Sequence, residues 1–185
     1  LRLSRGLGDV YKRQTMSDIH KLTVSSISQS LVDLGLVPMG VDETISMMHY
    51  FEFFMHGTGH WLGLDVHDAG SVEENNKPRK LMPGMVTTVE PGIYIRPNKP
   101  EIEFKLLERD PKEIRERRKL LGMEKATKLE NEEIKDAKSI KHKIPKDLLG
   151  IGIRIEDDIV CTDDEPINLT EEAPKSIEDV EAICS

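Results

Sequence analysis

The sequence has little cysteine, no long apolar run and no excess of basic residues. Its two cysteines, Cys161 and Cys184, are too few and too differently placed for a disulfide framework, so we expect reduced thiols in a cytoplasmic protein. No apolar run approaches the roughly 20 residues that span a bilayer. A formal net charge of -8 argues against a general binder of nucleic acid or anionic membranes.

With 185 residues, the chain has the length of one domain that can bury a sizeable core. Residues 1–14 differ from the rest because they lack an initial Met and carry basic residues with a single acid. Such a leader could be a transit peptide, but we expect a non-native or mis-joined segment and exclude it from the fold. Fold and function then have to be predicted from residues 15–185.

The segment HGTGHWLGLDVHD, residues 56–68, contains three histidines, two aspartates and three glycines. Imidazoles and carboxylates bind transition metals and move protons near neutral pH, although a single histidine among apolar residues is usually a packed core residue. After Gly63 apolar and polar residues alternate, which predicts a Gly-rich turn leading into a short strand. We expect His60 and His67 to face a common space.

Two later segments place carboxylates in predicted strands. MVTTVEPGIYI, residues 85–95, is a β-branched strand with Glu90 just before a Pro-Gly break. GIRIEDDIV, residues 152–160, alternates so that Arg154, Glu156 and Asp158 share one face. A buried carboxylate needs a partner, and a metal ion is one candidate. A salt bridge with Arg154 or an exposed edge strand are the alternatives.

Helical patterns surround these segments. Helices are predicted from Ser17 to just before Gly35, from Asp42, and over residues 174–183 with Ser176 as the cap. Residues 97–148 break the composition with runs of both charges, which predicts solvated helix, as one helix or as two around Gly122. The segment is either a plain solvated lobe or a partner-binding arm.

The three motifs, in this order, resemble the catalytic domain of Xaa-Pro aminopeptidases (aminopeptidase P). That family belongs to a dinuclear-metal group with prolidase and methionine aminopeptidase. The resemblance covers about residues 16–185 and implies an α+β, partial pita-bread (creatinase/aminopeptidase) fold, a curved, mostly antiparallel sheet with helices packed outside. It also implies that residues 15–185 are the C-terminal portion of the catalytic domain, with a charged insert at about 99–147.

The resemblance further implies a metal site. His60 and Glu90 would ligate one metal, and Glu156 would bridge two. Glu90 would also handle the proton of the bridging hydroxide. The implied cofactors are two divalent ions in the full-length enzyme, with manganese expected and cobalt, zinc or iron as alternatives.

By the same resemblance, His56 and His67 would contact the substrate and stabilise the tetrahedral intermediate, and Arg154 would hold neighbouring carboxylates in place. The implied reaction releases the N-terminal residue from peptides with proline in the second position. The full-length enzyme would be a homo-oligomer with no nucleic-acid or membrane partner.

The sequence departs from the family pattern at two aspartate ligands that the family places on strands before the histidine segment. Only Asp18, Asp33 and Asp42 precede His56 in the matching region, all in or beside predicted helices, so none is given a metal role. We therefore expect the 185 residues alone to be inactive. Prolidase and a non-catalytic pita-bread module that binds proteins remain the alternatives.

Overall fold

The structure, a computed structural model, describes residues 14–107 and 110–185. The predicted leader, residues 1–14, thus lies outside the described residues except for Gln14. The helices are α1 (Met16–Asp33), α2 (Val41–Ser46), α3 (Pro111–Leu121), α4 (Met123–Asp136) and α5 (Ile177–Cys184), with 3-10 turns at His49–Glu52 and Lys146–Leu148. The strands are β1 (Glu73–Glu74), β2 (Lys77–Pro78), β3 (Val86–Val89), β4 (Gly92–Tyr94), β5 (Glu101–Leu106), β6 (Lys138–Lys143), β7 (Gly152–Arg154), β8 (Asp157–Val160) and β9 (Ile167–Asn168).

The described chain divides into two compact units. Unit 1 comprises residues 14–26, 56–93 and 153–185, and unit 2 comprises residues 27–55, 94–107 and 110–152. None of the helices in the described part of the chain is both long enough and apolar enough to cross a lipid bilayer.

Helix α1 confirms the first predicted helix. It begins after Thr15, whose hydroxyl accepts the Asp18 N–H at 3.2 Å while the Asp18 carboxylate accepts the Thr15 N–H at 3.1 Å. This reciprocal cap satisfies amide groups that the helix itself leaves unpaired. The helix ends before Gly35, which has a φ of 64°, and the Leu36 N–H returns to the Leu31 carbonyl at 2.9 Å.

Unit 1 is built on the antiparallel sheet β3–β8–β9. Strand β3 pairs with β8 from Val86↔Val160 to Val89↔Asp157, so Glu90 immediately follows the last paired residue of β3. The core beside this sheet consists of Ile19, Leu81, Val89, Ile159 and Cys161. The predicted strand before the Pro-Gly break is therefore confirmed, and its end is held by a packed core.

Unit 2 contains the charged segment. Strands β5 and β6 pair antiparallel from Glu101↔Lys143 to Leu106↔Lys138, and helices α3 and α4 lie between them in the chain. Gly122 separates the two helices with a φ of 78°, which confirms the two-helix alternative. The buried apolar residues of unit 2 are Ile27, Leu31, Leu36, Val37, Met39, Tyr50, Phe53, Phe54, Ile95, Ile102, Phe104, Ala126 and Ile144.

Two predicted strands are wrong in detail. Residues 64–67 belong to an irregular segment, here called the histidine loop (residues 56–70), in which the Asp68 N–H turns back to the Trp61 carbonyl. Leu64 and Val66 are exposed, so the alternating sequence is not matched by alternating burial. Residues 152–160 form the two short strands β7 and β8 rather than one, because the chain breaks at Ile155 and Glu156.

Candidate metal centre

The histidine loop lies against strand β3. The Glu90 N–H donates to the Thr58 carbonyl at 2.7 Å, so the loop is hydrogen-bonded to the residue that follows the strand. Gly59 permits this approach, because a Cβ atom there would lie 1.9 Å from the Thr88 carbonyl oxygen. The backbone thus carries His60 to the position where β3 delivers Glu90.

Three of the predicted site residues converge at this point. His60, Glu90 and Glu156 each offer a ligand atom, and these atoms lie within 4.8 Å of one another. The His60 Nε2 atom is 3.4 Å from Glu90 Oε1. Glu90 is buried, His60 is half-buried and Glu156 is exposed. The structure brings the three side chains together, and their role as ligands stays a prediction.

The orientation of His60 suits a ligand. Its Nδ1–H donates to the Trp61 carbonyl at 2.9 Å, since a carbonyl oxygen can only accept. The lone pair of the neutral ring is then on Nε2, the nitrogen that faces Glu90. One imidazole nitrogen with two carboxylates is a donor set that suits manganese, iron, cobalt or zinc. The residues therefore fit a divalent cation.

Arg154 compensates the charge of the buried Glu90. Its Nη1 atom lies 3.0 Å from Glu90 Oε2, the carboxylate oxygen that does not face His60. Its Nη2 atom lies 3.4 Å from Nε2 of His56, whose Nδ1–H donates to the Gly57 carbonyl at 2.7 Å. The guanidinium thus gives the buried carboxylate a partner of opposite charge, which a buried charge requires.

His67 lies beside His60 with the ring centroids 4.3 Å apart and the rings inclined at 62°. The side chains of His60 and His67 therefore lie together, as the sequence predicts. His67 itself is exposed, so its ring can reach a bound molecule. Its catalytic role, like that of His56, stays a prediction.

His20 is a residue that the sequence pattern missed. It lies in the first predicted helix, where nothing in the sequence marks it as a site residue, yet its Nδ1 atom lies 2.9 Å from the Thr58 hydroxyl. Burial lowers the pKa of His20, and the neighbouring His56 lowers it further. His20 and Thr58 line a cavity of about 380 Å³. No local signal predicts the contact, because 38 positions separate its two residues.

Thr88 is a second missed residue. Its hydroxyl donates to Glu90 Oε1 at 3.2 Å and accepts the His60 N–H at 3.0 Å. In the sequence it was one of several β-branched residues of a strand, and β-branching gives no indication of a hydrogen-bonding role.

The three early aspartates take helical positions. Asp18 belongs to the cap of α1, where its hydrogen bond from the Thr15 hydroxyl lowers its pKa. Asp33 accepts a hydrogen bond from Gln29, and Asp42 lies in the first turn of α2. Within the described residues, the group that could hold a metal ion contains none of them.

Comparison with known proteins identifies relatives of this chain. Residues 5–163 match the profile of metallopeptidase family M24. The chain is 39% identical to the Xaa-Pro aminopeptidase of Escherichia coli K12 over 153 residues, which is 83% of this chain and 25% of that protein.

Solved structures of aminopeptidases also align with this chain over nearly its whole length. Aminopeptidase PepP of Pseudomonas aeruginosa aligns with a TM-score of 0.70 at 33% identity, over 97% of this chain and 31% of that one. Aminopeptidase P of E. coli with the inhibitor Pro-Leu gives 0.68 at 34% identity, over 98% and 31%. The chain thus spans about a quarter to a third of these relatives. Its mixed helices and antiparallel strands have the expected pita-bread architecture. The chain belongs to metallopeptidase family M24.

Proposed function

We propose that the chain supplies part of the metal site of an Xaa-Pro aminopeptidase, an enzyme that releases the N-terminal residue from peptides with proline second. The observation that carries this proposal is the convergence of His60, Glu90 and Glu156 within 4.8 Å. The name of the E. coli relative supports the substrate class.

His60 would hold a divalent cation through Nε2, and Glu90 and Glu156 through their carboxylate oxygens. When bound, divalent cations activate water and stabilise the charge that develops on the peptide oxygen. Glu90 would take up the proton of the attacking water at a carboxylate oxygen. Arg154 holds that carboxylate from its other side, so its orientation is fixed before the substrate arrives.

The histidines outside the donor set would act on the peptide. His67 is exposed beside His60, and His56 lies against Arg154. An exposed imidazole such as that of His67 can donate a hydrogen bond to an oxygen that gains negative charge during the reaction, which a carboxylate cannot do. We assign both to substrate binding and to stabilisation of the tetrahedral intermediate.

The finer assignments are also proposals. Manganese is the metal that we expect, and a reducing cytoplasm is the expected compartment because Cys161 and Cys184 are thiols. We also infer that the described donors are insufficient for two cations, because three ligands neutralise too little charge and leave too many coordination positions open. The 185 residues alone should therefore bind one ion weakly and show no turnover.

Isothermal titration of Mn²⁺ into the chain tests this proposal. We expect about one ion per chain, with binding lost in Glu90→Gln and Glu156→Gln and retained in Glu165→Gln, which removes an exposed carboxylate outside the group of three donors. Circular dichroism checks that each variant is folded. Unchanged binding in both site variants would contradict the ligand assignment. Turnover of an Xaa-Pro tripeptide or dipeptide by the 185 residues would contradict the expected inactivity.

A further inference from the structure

Thr88 connects two of the three candidate ligands. The residue is buried, with 2% of its surface exposed, and it is the second-last residue of strand β3. Its hydroxyl oxygen accepts the backbone N–H of His60 at 3.0 Å and donates to Glu90 Oε1 at 3.2 Å. The same carboxylate oxygen faces His60 Nε2. One hydroxyl group thus touches the backbone of one candidate ligand and the carboxylate of another.

The hydrogen-bonding capacity of a threonine fits this position. A hydroxyl has one hydrogen to donate and lone pairs to accept. Because the His60 N–H can only donate, the hydroxyl must be the acceptor in that bond, and its own hydrogen is then directed to Glu90. A carboxylate oxygen that receives this hydrogen bond has fewer orientations available to it.

The surrounding backbone holds the hydroxyl in place. Thr88 is paired with Asp158 in the β3–β8 ladder, and its own N–H donates to the His60 carbonyl at 3.0 Å. Gly59 lets the histidine loop approach so closely that a Cβ there would also lie 3.2 Å from the Thr88 hydroxyl oxygen. The hydroxyl is therefore fixed by a strand on one side and by the loop on the other.

We propose that Thr88 is a positioning residue of the candidate metal site, whose hydroxyl sets the distance between His60 and Glu90 and so raises the affinity for a divalent cation. This inference rests on the proposed function, because it takes His60 and Glu90 as ligands. Residues that orient metal ligands typically change metal affinity by about 10–100-fold when they are removed.

The test compares Thr88→Val with Thr88→Ser in the 185-residue chain. Valine keeps the β-branched shape and removes the hydroxyl, whereas serine keeps the hydroxyl. Titration calorimetry with Mn²⁺ should show affinity at least about tenfold lower in Thr88→Val. Thr88→Ser should stay within about threefold of the parent chain, which is the rescue that a purely steric role would not give.

Thr44→Val is the matched control. Thr44 is fully buried and its hydroxyl donates to the Gly40 carbonyl at 2.8 Å, so this variant also loses a buried hydroxyl but in unit 2. It should leave Mn²⁺ affinity unchanged. Folded Thr88→Val that binds Mn²⁺ like the parent chain would overturn the proposal.

A second measurement needs no metal. Hydrogen exchange at the His60 amide should be faster in Thr88→Val and unchanged in Thr88→Ser, because the hydroxyl is the acceptor of that amide. If the parent chain takes up no Mn²⁺, the proposed function fails, and exchange at this amide alone decides whether Thr88 holds the two residues together. Equal exchange in the parent chain and Thr88→Val would overturn that positioning.

Discussion

Gly59 and Gly57 belong to the same loop, but the fold makes different demands on them. A Cβ at Gly59 would lie 1.9 Å from the Thr88 carbonyl oxygen and 2.8 Å from its carbon, both backbone atoms that cannot rotate away. At Gly57 the nearest atom, the Gly59 carbonyl oxygen, is 3.8 Å away, an ordinary contact. An alanine at position 59 must therefore push the histidine loop away from β3.

We expect Gly59→Ala to lower the free energy of unfolding by about 2 kcal/mol, a typical cost of overpacking. It should also weaken Mn²⁺ binding, because His60 moves with the loop. Gly57→Ala is the matched control and should change stability by less than about 0.5 kcal/mol. Urea unfolding followed by circular dichroism measures both variants. Equal stabilities would contradict the close approach of loop and strand.

At the scale of single residues, a site residue can be predicted from the sequence when its side chain is unusual for its surroundings. A histidine cluster among glycines and a glutamate at the end of a β-branched strand both stand out, and the structure brings His60 and Glu90 together. Thr88 and His20 do not stand out, because threonine is common in strands and a lone histidine is common in helices. Their contacts depend on residues that the fold alone brings near.

At the scale of secondary-structure elements, strands β5 and β6 are the two that the charge pattern did not predict. The sequence predicts solvated helix within residues 97–148, and α3 and α4 confirm the helical part of that prediction. The flanking strands were missed, although Ile102 and Phe104 alternate with charged residues and are buried. The prediction used the charge of the whole segment. That average hid the alternating pattern of the amphipathic strand β5, because the two solvated helices contribute most of the charged residues.

Because helices α3 and α4 are distinct from the strands that flank them, we expect that this pair of helices, here called the helical hairpin, can be removed. The β5–β6 ladder ends at Leu106↔Lys138, so a two-residue Asn-Gly turn can join the strands in place of residues 107–137. Among the described side chains of α3 and α4, only Ala126 and Glu130 are buried. We expect the shortened chain to fold with a Tm lowered by less than about 5 °C, measured by thermal unfolding.

Removal of residues 101–143, which takes the strands as well, is the contrasting variant. It deletes Ile102 and Phe104, each of which contributes roughly 2 kcal/mol or more by its burial, and unit 2 should then lose its cooperative unfolding. If the hairpin deletion were as damaging as this larger one, the helices would be part of the core and the proposal of a separable insert would be wrong.

For the whole molecule, the sequence predicted the family and the order of its motifs but not the division into two units. One boundary falls between residues 26 and 27, inside the continuous helix α1, where no proline, glycine or change of composition marks it. A boundary inside one helix depends on which elements pack on each half, and that is decided by contacts distant in sequence. The candidate ligands, by contrast, all fall in unit 1.

Metal binding should therefore stabilise unit 1 in particular. A ligand at 100 times its Kd that binds only the folded unit stabilises that unit by about 2.7 kcal/mol and slows exchange through opening of that unit by about 100-fold. We expect Mn²⁺ at that concentration to slow hydrogen exchange at the amides of β3 and β8. Strands β5 and β6, which hold none of the candidate ligands, are the internal reference. A chelator should reverse the effect, and Glu90→Gln should abolish it. Unchanged exchange in β3 and β8 at saturating Mn²⁺ would show that the ion binds elsewhere.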